Sequence, residues 1–251
     1  MSELNGVGFK DYALKIRSSI PQPSGIHIAP RSVVAVTGCG PGFQLDALSD
    51  QIIRLAHSRP DWTLHTFEPA IEGCIATFFN QHVQPLLPHF SHLLFNLIVA
   101  AQFDGQCWMW STDTTVVKPC NDFEAMGSGR QYAKTAIYTR IIHPSIEAAI
   151  LLAIRGVLEA KRFDQYCGQG TTVVCLYNHG AHHIPWYIIE PTEKLFDKYA
   201  GIEQSTFQLV LGHFPEDEER KHLGRLSKSV RKLRSEMKDI EGQIKAEISK
   251  S

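Results

Sequence analysis

Residues 94–133 read LFNLIVAAQFDGQCWMWSTDTTVVKPCNDFEAMGSGRQYA, and this stretch decides the fold. Two apolar runs, rich in β-branched and aromatic residues, flank Asp104-Gly105, a dipeptide suited to a tight hairpin. A third run at residues 122–126 breaks at Gly127-Ser128-Gly129. A helical spacing then covers residues 130–142. The reading is therefore a three-strand unit that turns through glycines into a helix.

Upstream, residues 5–20 predict a strand, a turn at Lys10-Asp11 and a second strand, ended by Pro21 and Pro23. Residues 25–29 suit a short strand, and SVVAVT at residues 32–37 suits a buried one. Gly38-Cys39-Gly40-Pro41-Gly42 makes a glycine turn. Leu45, Leu48, Ile52, Leu55 and Ala56 then recur at helical spacing over residues 43–58. Residues 62–67 are a strand candidate, and residues 69–89 a second helix that Pro85 ends early or kinks. Pro144 stands near the start of a fourth helix that runs to Phe163. Residues 171–177 and 184–189 read as a last pair of strands. Blocks of strands and helices in this order predict stacked layers, not a strictly alternating βαβ fold.

The end of the chain differs. Leu226, Val230, Leu233, Met237, Ile240 and Ile244 alternate at three and four, with charged residues between them. That is a heptad pattern over residues 223–248, fit either for a partner helix or for an amphipathic helix lying on its own domain. The organisation expected is a body at residues 1–214 and a charged helix at residues 215–251.

Composition limits the function classes. The chain has 251 residues, 43% apolar and 20% charged, with a formal net charge of −1. This fits one globular domain and gives no overall field that would gather nucleic acid. No apolar run is long enough to span a bilayer, and Met1-Ser-Glu-Leu-Asn-Gly lacks the pattern of a secretory leader. Cys39, Cys74, Cys107, Cys120, Cys167 and Cys175 show no CxxC spacing. Reduced thiols in a cytoplasm are the expectation. His179, His182 and His183 cluster around Gly180, as metal ligands would or as a polar turn between strands would.

Several segments together resemble a proteasome-type subunit of the N-terminal-nucleophile hydrolases. They are Asn5-Gly6-Val7-Gly8-Phe9-Lys10-Asp11-Tyr12, the Asp104-Gly105 hairpin, Gly127-Ser128-Gly129 with Tyr132-Ala133, and Asp164 to Gly168. Gly42-Phe-Gln-Leu-Asp46 fits the family's helix opening. The resemblance implies an α+β fold, a four-layer αββα sandwich, with the C-terminal amphipathic helix appended. It implies no cofactor and no metal. Its chemistry would use the side chain and free amine of an N-terminal Ser2, although Ser2 is also simply a common second residue. Ser128 and Asp164 would pin that amine. Each also has a structural role to hand, Ser128 as a helix cap and Asp164 at the end of a long helix.

The supporting acid and lysine are not where the resemblance requires them. Ser18 stands at the acid's position and Ser24 at the lysine's, while Lys15, the nearest lysine, falls mid-strand. The expected function is a proteasome-like subunit, noncatalytic or weakly active and linked to protein degradation. Its partners would be copies of itself or related subunits, with a coiled-coil partner possible through residues 223–248. Nucleic acid and membrane are not expected partners.

A rival reading uses the glycine turn. Residues 33–48 also resemble the first motif of S-adenosylmethionine-dependent methyltransferases. Gly38, Gly40 and Gly42 would approach the cofactor, and Glu68 would bind its ribose. The acid usually found before the first glycine is missing, since Ala35-Val36-Thr37 stand there.

Overall fold

The computed structural model describes residues 17–18, 32–40, 42–59, 61–88, 94–103, 106–138, 145–168, 170–177, 180–212 and 214–250. Of the strands expected over residues 5–20 only residues 17–18 are described, and the Lys10-Asp11 turn, the strand expected at 25–29 and Asp104-Gly105 lie outside the described residues.

β1 (Arg17–Ser18), β2 (Ser32–Cys39), β3 (Asn96–Phe103), β4 (Gln106–Asp113) and β5 (Val116–Pro119) form one antiparallel sheet in that order. The β3–β4 register ends with Phe103 opposite Gln106, as the expected two-residue hairpin requires. Alternation explains which face is buried. Val34 and Val36 on β2, with Leu97, Val99, Ala101 and Phe103 on β3, all point to one side. There they meet α1 (Gly42–His57) and α2 (Leu64–Phe78). Leu45, Leu48, Ile52 and Ala56 of α1 and Phe67, Ile71, Ile75 and Phe78 of α2 complete this core. Trp110 is fully buried in it, and its indole N–H donates to Glu68 Oε2 at 2.8 Å. Each such large side chain contributes about 1.5–3 kcal/mol by leaving water.

The opposite face of the sheet packs against a hairpin of β6 (Val174–Tyr177) and β7 (Gly180–His183). α3 (Arg130–Tyr138) packs on α4 (Ile146–Phe163), whose first turn is capped by Ser145 Oγ accepting from the Ala148 N–H at 3.2 Å. A second core gathers Ile150, Leu151, Ile154 and Leu158 of α4 with Val173 and Ile184. Ile188, Ile189, Leu195 and Phe196 of α5 (Trp186–Leu211) and Ile240 and Ile244 of α6 (Glu216–Ile248) close it. Lys161 Nζ of α4 bridges Thr171 Oγ1 (2.6 Å) and Glu193 Oε1 of α5 (2.8 Å), tying these layers together. The architecture of the described residues is therefore mixed α and β, with six α-helices and two antiparallel sheets. No helix among the described residues is long and apolar enough to cross a membrane.

Three strand expectations are corrected. The third strand is Val116–Pro119, not residues 122–126. Its turn at Thr114-Thr115 contains no glycine or asparagine, so the sequence hides it. Thr114 adopts φ 58°, costly for a β-branched residue, and its N–H is held by Asn96 Oδ1 at 3.2 Å. Residues 62–67 are not a strand, because α2 starts at Leu64. Pro69 lies inside that helix, and a π-helical turn at Phe79–Val83 follows it. Residues 184–189 are not a strand either, because Pro185 opens α5.

The heptad helix uses only part of its seam on its own domain. Ile244 is fully buried and Ile240 is 5% exposed, whereas Val230 is 45% exposed. Ile244→Ala is expected to cost about 2–4 kcal/mol of stability. Lys238→Ala, exposed on the same helix, should stay within about 0.5 kcal/mol. Urea-unfolding midpoints of the two variants check this.

Candidate functional site

Gly127-Ser128-Gly129 lies where β2 ends, β3 begins and α4 runs out. Gly127 takes φ +94°, which a side chain would strain, and lies against the Cys39 side chain at the end of β2. Cys39 is paired in register with Asn96, the first residue of β3. Gly129 packs directly on α4: a Cβ there would sit 2.7 Å from Ala160 Cβ and 2.6 Å from Cys167 Sγ. Small residues thus bring the serine turn onto the end of the long helix, where Asp164 follows Phe163.

Ser128 and Asp164 lie together, while the N-terminal amine that the resemblance has them pin falls outside the described residues. Asp164 is 8% exposed, and its Oδ1 accepts the Tyr166 backbone N–H at 2.9 Å. Oδ2 is buried with no hydrogen-bond partner of good geometry. The Ser128 hydroxyl, and after it the Tyr166 N–H, hold the Asp164 carboxyl below its ordinary range, with the Cys167 thiol adding a smaller part against the cost of desolvation. Burial, followed by the charge of Asp164, pushes the Cys167 thiol up. Burial likewise pushes Cys39 up. Neither thiol is an activated nucleophile. An ionised carboxylate with lowered basicity is a poor general base, and it does not activate Ser128. It is suited to holding a cation or orienting a donor. An open depression of about 430 Å³ lies over it, lined by Ser128, Tyr132, Phe163, Asp164, Gln165 and Tyr166. The Tyr132 and Phe163 rings stack there at 5.3 Å.

The remaining sequence candidates separate. Ser2 lies outside the described residues, as do Lys15, Ser24 and His179. Ser18, at the expected acid position, pairs with Ala35 on β2, four residues from Cys39. His182 and His183 stand in β7, and His182 Nε2 lies 3.5 Å from Glu247 Oε1. No group of three metal-ligating side chains forms among the described residues. Tyr132 was quoted from sequence only as part of the serine-turn segment, and its partner Phe163 and the adjoining Cys39 were not singled out. An exposed aromatic closing a long amphipathic helix, as Phe163 does, was the available signal.

The methyltransferase geometry is absent from the glycine turn. Every strand pair among the described residues is antiparallel, where that fold needs parallel strands. Gly38 is in β2, and a Cβ on it would lie 2.6 Å from both Asn96 O and Leu97 Cδ2. Gly40, at φ +142°, lies against the Phe95 backbone, and Gly42 opens α1. These glycines serve close packing of strand and helix. Glu68 lies on α2, bonded to Trp110.

The arrangement of antiparallel sheets and helices is one this chain shares with proteins of known structure. The similar solved structures are, more particularly, Anbu proteins. One is Anbu (ancestral beta-subunit) from Yersinia bercovieri, with 13% identity and a TM-score of 0.58 over 81% of this chain and 87% of that one. A second is the Gly-1 mutant of Anbu from Hyphomicrobium sp. strain MC1, with 11% identity and a TM-score of 0.58 over 78% and 85%. A third, Anbu from the same strain, has 13% identity and a TM-score of 0.53 over 74% and 83%. At these identities the likeness is one of fold. No family model and no curated protein matches the chain. The expectation of a proteasome-type subunit is thereby corrected: the neighbours form a proteasome-like but distinct family.

The lowered carboxyl of Asp164 gives a signed prediction. A depressed folded-state pKa stabilises above the unfolded value of about 3.9 and is lost as pH falls through the folded value. Wild type should therefore be more stable than Asp164→Asn at pH 7, with the gap shrinking as pH falls below about 4. Thermal midpoints of both proteins across that range check it.

Proposed function

We propose that this chain is a proteasome-like subunit of the Anbu kind, noncatalytic or weakly active, that assembles with copies of itself or related subunits and is linked to protein degradation. The observation that carries the reading is the fold likeness over 81% of the chain, together with the serine turn seated on Asp164. The fold is completed as an αββα sandwich. Residues 1–214 form its body, and residues 215–251 add a helix.

The proposed chemistry is limited by what the site offers. Ser128 and Asp164 hold the amine of residue 2, and any cleavage runs through Ser2 as nucleophile. Ser18 carries no charge that would orient a base. The carboxylate of Asp164 stays anionic and does not take the hydroxyl proton. Turnover is accordingly slow or absent.

Native mass spectrometry of the purified full chain, paired with a peptide-cleavage assay, tests this. The expected result is a multi-subunit particle with little or no cleavage, any residual activity disappearing in Ser2→Ala. A monomer at micromolar concentration, or rapid cleavage that survives Ser2→Ala, would overturn it.

A further inference from the structure

α5 and α6 form an antiparallel pair. Tyr187 Oη donates to Glu247 Oε2 at 2.7 Å, and Lys198 Nζ donates to Glu236 Oε2 at 2.7 Å. Eleven residues forward on α5 match eleven back on α6, so residue 211 comes level with residue 223. Near the domain the pair is well used. Ile189, Phe196 and Ile244 are buried, and Met237 packs on the same core. The reach of α4 along α5 is marked by Arg155, whose Nη2 lies 3.7 Å from Glu203 Oε1.

Beyond Glu203 the same face continues without cover. Val210 lies two heptads past Phe196, and Val230 and Leu223 lie one and two heptads before Met237. Val210 is 75% exposed, Leu223 47% and Val230 45%, with Phe207 65% exposed beside them. The far part of the pair is thus an arm whose inner face is apolar and open to water.

Charge says what covers it. The first turn of α6 is Glu216, Asp217, Glu218 and Glu219. Residues 220–235 then hold seven lysines and arginines and no acid. Among the described residues, Lys221, Arg225, Lys228, Arg231 and Arg234 form no ion pair. A two-fold axis crossing α6 at residue 225 sets residues 216–219 of one copy against residues 231–234 of another. Four carboxylates then face Arg231, Lys232 and Arg234, twice over, with Leu223 and Val230 between them. A nucleic acid or an anionic lipid surface would gain the cations but repel the acidic turn.

We propose that the arm of α5 and α6 is a self-association surface, pairing antiparallel with the arm of a second copy of this chain. This rests on the self-assembly reading above and gives it a contact. The basic stretch and the acidic turn set the direction and register, and the apolar residues supply the buried seam.

Sedimentation analysis of full-length charge-reversed variants tests the pairing. One variant carries Glu216→Lys, Asp217→Lys, Glu218→Lys and Glu219→Lys, and the other Arg231→Glu, Lys232→Glu and Arg234→Glu. All seven positions are exposed, and circular dichroism confirms that each variant is folded. Each alone should associate at least about tenfold more weakly than wild type. Mixing the two should restore association, because each reversed turn then meets a reversed stretch. Leu223→Glu with Val230→Glu should weaken it with no rescue on mixing. A wild type that assembles while all variants assemble equally would overturn the arm contact and leave the self-assembly reading standing. A monomeric wild type would overturn both, as would a monomer that sediments only with phosphatidylserine vesicles or RNA.

Discussion

The eight-residue pairing of β2 with β3 is the constraint on which the rest depends. It runs from Ser32 opposite Phe103 to Cys39 opposite Asn96. It puts six apolar side chains on one face at alternate positions, and these are what α1 and α2 cover. The pairing also ends at a particular place. Gly38 and Gly40 let the backbone pass within contact of Asn96, Leu97 and Phe95, so the chain can leave the strand and begin α1 within three residues of Cys39. Gly127 comes to rest on Cys39, at the same end of the strand. The serine turn is therefore located by the sheet, and Asp164 is located by α4 meeting that turn through Gly129.

This dependence explains why the glycine segment supported two readings. A strand, a glycine turn and a helix have the same local sequence whether the glycines admit a phosphate or a neighbouring strand. The distinction is topological: it lies in whether the next strand returns parallel or antiparallel. Nothing within residues 33–48 contains that information. Residues 94–113 commit β3 and β4 to run antiparallel, but the direction of β3 against β2 is given only by their register.

Other parts of the fold were legible to unequal degrees. The apolar periodicity of α1 and of α4 matched their burial closely, since one face of each meets a core. The β4–β5 turn was hidden because Thr114 holds a left-handed conformation without a glycine or asparagine to announce it. The start of α5 was hidden because IPWYII carries strand-like side chains, and the burial of Ile188 and Ile189 in the core shared with α4 and α6 outweighs local preference. At the site, the juxtaposition of Ser128 with Asp164 was legible only through the resemblance. The stacked rings of Tyr132 and Phe163 were not, because a contact between the start of one helix and the end of another leaves no periodic trace.

The two cores are also separated along the chain. The first draws its buried members from Val34 to Trp110, and the second from Ile150 to Ile244. A chain emerging from a ribosome would thus expose everything needed for the first core before any of the second is made. The sheet with α1 and α2 can form early and serve as a template. The β6–β7 hairpin then settles on the bare face of that sheet, and α5 and α6 close over it last. The proposed arm follows every member of the first core in the chain, so association through it would come only after the residues of that core are all made.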